Sequence, residues 1–132
     1  MPSLTDLLQA TPADQIAAVR AGLPACAAAT LAEGHGLTPA DLAPALGLSP
    51  ATLTRRLHTG GQLDPTASER LLRLARIAHQ AAAAFGNPTR AGAWLIRPHR
   101  LLGAAPLTLL DTAHGGHEVE RQLLAIEHGL PV

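Results

Sequence analysis

The chain has no tyrosine and no lysine, and its 132 residues include one cysteine (Cys26), one phenylalanine (Phe85) and one tryptophan (Trp94). A lone cysteine excludes an internal disulfide and any all-cysteine metal site. Two aromatic residues leave little on which the bases of a single-stranded nucleic acid could stack. The longest unbroken apolar stretches, such as Ala81 to Phe85, fall far short of the roughly 20 residues that a membrane-crossing helix needs. The opening MPSLTDLL lacks a basic segment followed by an apolar one, so no secretory signal is expected and a cytoplasmic setting is. No GxGxxG, GxxxxGK, GxSxG or HExxH string occurs, which removes the common phosphate-cradling and catalytic motifs. The expectation is a binding protein that needs no cofactor and is not an enzyme.

The apolar fraction, 47%, is almost all alanine and leucine. Runs in which β-branched residues alternate with polar ones are scarce, so no strand is expected. Small apolar side chains at this density suit closely packed helices. The reading is therefore all-α, in one or two small domains.

Charge is balanced overall but unevenly placed. Residues 1–54 carry −3, residues 55–100 carry +6 and residues 101–132 carry −3. The middle holds eight arginines (55, 56, 70, 73, 76, 90, 97 and 100) against Asp64 and Glu69. Such a segment reads equally as a solvated helix face or as the footprint of an anionic partner.

Five times a side chain that can cap a helix stands before proline: Thr11-Pro12, Thr38-Pro39, Ser49-Pro50, Asp64-Pro65 and Asn87-Pro88. The side-chain oxygen accepts an orphan N–H, and proline at the first helical position gives up a donor that had no partner. These starts predict helices over 12–21, 39–46, 50–58 and 65–85, with an alanine-rich helix over 24–33 between the first two and a short one from Pro88 to Pro98. APLTLLDTAHGG reads as a further helix ended by Gly115-Gly116, and the last helix as running from His117 to His128 with Val119, Leu123 and Ile126 inward. In the long helix, Ala67, Leu71, Leu74, Ala78, Ala81 and Phe85 share one face, with Glu69, Arg70, Arg73, Arg76 and Gln80 largely off it. That seam packs against a helix of the same chain or against a second copy.

TPADLAPALGLSPATLTRRL carries helix-turn-helix grammar. Ala43 supplies the small residue of a close crossing, Gly47 a turn position tolerant of positive φ, and Leu48 and Leu53 fill the angle between the helices. Leu53 and Leu57 point inward on the second helix, leaving Ala51, Thr52, Arg55 and Arg56 outward behind the Ser49 cap. Arginine forks to guanine or clamps phosphate, threonine touches a thymine methyl or phosphate, and a capped helix start offers N–H groups to phosphate. Ser49, Ala51, Thr52, Arg55 and Arg56 are thus the candidate contacts to double-stranded DNA. Pro44 falls inside the first helix, where it costs up to about 3 kcal/mol unless that helix bends or is shorter.

SPATLTRRL, GQLDPTASERLLRLARI, AFGNPTRAGAWLIRPHRLLGAAPLTLLDT and GGHEVERQLLAIEHGLPV, in that order, resemble the Xre/MbcA/ParS antitoxin family, partners of RES-domain toxins. The resemblance runs from about Ser49 to the end. One departure is His99, where the family tends to have asparagine. The resemblance implies an Xre-like helix-turn-helix bundle over 1–61 and a small helical toxin-binding and dimerisation domain over 62–132. It further implies an antitoxin that neutralises a RES-domain, NAD-consuming toxin and represses its own operon as a homodimer on operator DNA. The end of the chain, Glu127, His128, Gly129, Leu130, Pro131 and Val132, would then reach the toxin's active site, its acidity matching a basic nucleotide cleft. A stand-alone helix-turn-helix regulator is the alternative.

Other features read as structural. Trp94 reads as a core anchor. His114 and His117 straddle a glycine pair with no further ligand placed by the pattern, so a metal, and with it a metal-dependent enzyme, is the least favoured reading.

Overall fold

Every one of the five cap-proline pairs starts a helix in the computed structural model, which describes residues 3–129. Eight α-helices follow in order: α1 (Leu4–Leu8), α2 (Pro12–Ala21), α3 (Ala25–Gly34), α4 (Pro39–Leu46), α5 (Pro50–Thr59), α6 (Pro65–Phe85), α7 (Pro88–Ile96) and α8 (Ala113–Glu127). A single 3-10 turn, Pro106–Leu109, lies between α7 and α8. Among the described residues there is no strand, only two isolated bridges, Pro24 with Gln62 and His99 with Ala104. None of the described helices is long and apolar enough to cross a membrane.

The caps work as their chemistry demands. Thr11, Thr38, Ser49, Asp64 and Asn87 each accept the backbone N–H three residues on. Of the two TPAD strings only the second closes reciprocally, Asp41 accepting the N–H of Thr38 at 2.9 Å. Pro44 leaves α4 continuous from Pro39 to Leu46. It lies on the exposed side, as does Ala40 one turn earlier, where the loss of an intrahelical donor costs less than in the core. The helix then closes with Gly47 left-handed (φ 69°), its N–H on the Pro44 carbonyl at 3.1 Å and the Leu48 N–H on that of Ala43 at 3.1 Å, a Schellman closure.

Helix α6 is the beam of the fold, packed against α1, α2, α4, α7 and α8. Its predicted seam is buried at Ala67, Leu71, Leu74, Ala78 and Ala81, with Phe85 half-buried, and Leu72, Ala75 and Ile77 are buried as well. The seam is filled from within the chain. Around it sit the fully buried Leu42, Leu46, Leu53, Leu95, Leu107, Leu110, Val119 and Leu123. Each such side chain contributes about 1.5–3 kcal/mol by leaving water.

Two expectations are corrected. Arg73 is not off the packed face: it is 7% exposed, with one Nη donating to the Leu110 carbonyl at 2.9 Å and the other to Glu69 at 2.8 Å. A buried guanidinium is tolerated because its donors are met. Nor do Gly115 and Gly116 end a helix or His117 begin one. The expected helix over APLTLLDTAHGG is only the 3-10 turn, and α8 starts at Ala113, capped by Thr112, with both glycines in its first turns. Their smallness is used in packing: a Cβ on Gly115 would overlap the Leu109 carbonyl oxygen, and one on Gly116 would press on Arg73. Helix α1 was absent from the sequence reading; its five residues close a box between Ser3 and Asp6, and Gln15 donates to the Leu7 carbonyl at 2.9 Å.

Candidate DNA-binding and partner-binding sites

Helices α4 and α5 form the turn that the sequence predicts. Ala43 is fully buried at the crossing, Leu42, Leu46 and Leu53 lie beneath it, and Leu48 and Leu57 are half-buried. The turn is held from outside by Arg70, whose Nε donates to the Asp111 carbonyl at 2.8 Å and whose Nη reaches the Leu46 carbonyl at 3.5 Å. That guanidinium lies so close to Gly47 that a Cβ there would collide with it. Gly47 is therefore favoured for its left-handed φ, and a larger residue there would push the Arg70 guanidinium aside.

On α5 the five candidate contacts divide. Ala51 and Arg55 are exposed; Thr52 and Arg56 are half-buried. Ser49 is exposed at the helix start, its hydroxyl accepting the Thr52 N–H at 3.1 Å and donating to the Thr52 hydroxyl at 2.9 Å. Arg56 bends back to donate to the Gln62 carbonyl at 2.8 Å, holding the Gly60-Gly61 loop. Among the ion pairs of the described residues none includes Arg55. The face that α5 turns outward is thus Ala51, Thr54, Arg55 and His58, all exposed. The sequence reading passed over Thr54 and His58, although Thr54 lies three residues after Ala51 and His58 three after Arg55, on the same side of the helix. A shallow groove runs between Thr54, Leu57 and His58 and the start of α4 at Thr38, Pro39 and Ala40.

The second candidate site lies at the end of α8. Glu127 ends α8, His128 follows with its N–H on the Leu124 carbonyl at 3.1 Å, and Gly129 takes φ 70°. All three are exposed. Leu130, Pro131 and Val132 lie outside the described residues. Val119 and Leu123 are buried and Ile126 half-buried, anchoring α8 on α6, and Arg76 reaches across to Glu120 at 3.5 Å.

Between α7 and α8 the departure at His99 has a definite role. Its Nδ1 accepts the Leu101 N–H at 3.2 Å, the bond that an asparagine side chain would accept in an Asx turn. Its carbonyl accepts from Leu102 at 3.1 Å and Gly103 at 2.9 Å, and its N–H reaches Ala104. The ring stands edge-on to Trp94 at 5.7 Å, and Trp94 packs on Phe85 at the same distance. Trp94 is half-buried against the core. Among the described residues no three His, Cys, Asp or Glu side chains gather as a metal site would require; His114, His117 and His128 are all exposed.

Two family models match in succession. The antitoxin Xre-like helix-turn-helix domain covers residues 14–76, and the antitoxin Xre/MbcA/ParS C-terminal toxin-binding domain covers residues 80–129. The chain belongs to the Xre/MbcA/ParS antitoxin family. The family match begins at residue 14, well before Ser49, where the sequence reading first found a likeness. Among curated relatives, the antitoxin Xre of Pseudomonas putida is 38% identical over 79 residues, 59% of this chain and 50% of the relative. The antitoxin Xre of Yersinia enterocolitica is 34% identical over 93 residues, 69% of this chain and 63% of its own length. The Prs ADP-ribosylating antitoxin of a Sphingobium strain is 29% identical over 133 residues, 93% of this chain and 84% of the relative. The chain thus spans between half and under two thirds of the Xre antitoxins it matches. In this family member the helix-turn-helix match contains α4 and α5, and the toxin-binding match contains α7, the 3-10 turn and all of α8.

Proposed function

We propose that the chain is the antitoxin of a type II toxin-antitoxin pair, which silences a RES-domain, NAD-consuming toxin and represses its own operon. The observation that carries this reading is the succession of a helix-turn-helix match and a toxin-binding match along one chain. A relative named for an ADP-ribosylating system supports a partner that uses NAD, since NAD is the usual donor of ADP-ribose. In this proposal residues 1–61 bind operator DNA and residues 62–132 bind toxin and dimerise. Ser49, Ala51, Thr52, Arg55 and Arg56 supply the DNA contacts; the geometry favours Arg55 for base edges and leaves Arg56 to hold its loop. A homodimer would set two copies of α5 one helical turn apart on an operator. The segment from Glu127 through His128, Gly129, Leu130 and Pro131 to Val132 enters the toxin's active site. The chain acts by binding and is not itself an enzyme, and it works in the cytoplasm.

Neutralisation is the test. The reading frame beside this one is expressed in a growth assay alone, with the full chain, and with the chain truncated after Ile126. Toxicity relieved by the full chain and not by the truncated one is the expected result. A harmless neighbour, or no relief from the full chain, removes the toxin-binding half of the proposal.

A further inference from the structure

Ten arginines serve this chain, and those on α6 and α8 are engaged. Arg73 pairs with Glu69, Arg76 with Glu120 and Arg121 with Glu118. Arg90, Arg97 and Arg100 differ. All three are exposed, and none belongs to an ion pair of the described residues. From Arg70 to Leu110 the sequence holds no aspartate or glutamate at all, so no acid close by in sequence balances this positive charge.

The three arginines lie along α7, its C-terminal cap and the loop that follows. Arg90 is in the first turn of α7, and Arg97, seven residues on, follows its last residue on extended backbone, a spacing that gives the two a similar bearing on a helical wheel. The exposed Ile96 is the last residue of α7. The loop after α7 then presents Arg100 and Leu101 at its tip. Ile96 is 44% exposed and Leu101 59%, two of the four exposed large apolar side chains among the described residues. The tip is fixed in place, because the three bonds that His99 makes to Leu101, Leu102 and Gly103 and its edge contact with Trp94 define the loop. An ordered loop loses little entropy on binding, which favours affinity.

We propose that Arg90, Ile96, Arg97, Arg100 and Leu101 form a docking surface for the toxin, separate from the segment 127–132, and that it receives an acidic-rimmed apolar patch. This rests on the antitoxin reading above. The toxin is the occupant because the surface lies wholly within the match to the toxin-binding domain. A protein is favoured over DNA because arginines around exposed aliphatic side chains match a protein interface, rich in arginine with an apolar centre, whereas a phosphate backbone offers nothing to Ile96 and Leu101. The domain is then two-signed: basic on α7 and its loop, acidic at the end of α8 at Glu127, since Glu118 and Glu120 are paired with Arg121 and Arg76. A partner with a basic cleft flanked by acid would be held in a single orientation, since opposite alignment sets like charges together.

The full chain is tested against the protein encoded beside it, as wild type, as R90E/R97E/R100E, as I96S/L101S and as the truncation after Ile126. All substituted side chains are exposed, so thermal melts should match wild type and confirm folding. The charge-reversed variant should bind toxin at least tenfold more weakly, and wild-type binding should fall with added salt more steeply than that of the variant. The aliphatic variant should lose affinity with its salt dependence intact. The truncated chain should still bind toxin through this surface while failing to relieve toxicity. Toxin affinity within twofold of wild type in both substituted variants overturns the proposal and leaves the antitoxin reading standing. Loss of binding to the upstream promoter fragment with toxin affinity intact overturns it in favour of a DNA-facing surface. If the wild-type chain itself binds no toxin, the antitoxin reading falls and this surface with it.

Discussion

Two glycines that look alike in sequence should respond in opposite directions to the same methyl group. Gly34 is the last residue of α3, exposed, with negative φ and open space where a Cβ would stand. Gly92 lies inside α7, buried, also with negative φ, but its Cβ would fall on the His35 carbonyl oxygen. Gly34→Ala gains from the stiffer unfolded chain, about 0.4–1 kcal/mol. Gly92→Ala gains about 1 kcal/mol of helix propensity, yet the obstacle is backbone and cannot swing aside. Overpacking costs roughly 1–3 kcal/mol and more where backbone must move, so a net loss of about 1–2 kcal/mol is expected. With an unfolding entropy of about 2.1 cal/mol/K per residue, a chain of this length shifts by about 4 °C per kcal/mol. Tm should therefore rise by about 2–4 °C in the first variant and fall by about 4–8 °C in the second. Thermal melts followed by far-UV circular dichroism would check the Tm shifts, and urea melts with m unchanged the free energies behind them. If Gly92→Ala proves as stable as wild type, α7 is not seated on the turn before α4, and the placement of Arg90 and Arg97 fails with it.

The two neighbouring arginines of α5 should separate. Arg55→Ala is expected to weaken operator binding at least tenfold with stability within about 0.5 kcal/mol of wild type, whereas Arg56→Ala should cost about 0.5–1.5 kcal/mol of stability through the lost bond to Gln62 and a smaller share of DNA affinity. Equal DNA losses with equal melts would refute that division. At position 99, His99→Asn should retain stability because an amide oxygen can take the Leu101 N–H, while His99→Ala should lose about 1 kcal/mol; indistinguishable urea melts for the two would count against the loop's dependence on that acceptor.

What could be read before the structure was chemistry local to the chain. Ser49 followed by proline states where α5 begins, because the cap and the missing donor act within one turn. The seam of α6 and the crossing at Ala43 were legible for the same reason, as spacing on a single helix. Partners distant in sequence were not. Arg73 carries a charge and so reads as solvated, but its acceptor is a carbonyl thirty-seven residues on. Gly115-Gly116 reads as a stop; only the passage of the Leu109 backbone and Arg73 over α8 makes small residues necessary there. Arg56 is an intermediate case: its position three residues after Leu53 sets it at the edge of the buried stripe, a signal available from a helical wheel, though its acceptor on Gln62 was not. The DNA-facing and toxin-facing residues themselves are expectations that binding experiments must decide.

Helix α6 runs without interruption from Pro65 to Phe85, so the boundary between the two family matches, residues 77–79, falls inside a rigid rod and not in a linker. Each residue added to or removed from such a rod turns everything beyond it by about 100° and shifts it by about 1.5 Å. Length variation there is accordingly quantised: a single insertion would swing the partner-binding side out of register with the helix-turn-helix, whereas seven residues would nearly restore the bearing at greater reach. Sequences of this kind should tolerate almost no single insertion at Ile77, Ala78 or His79.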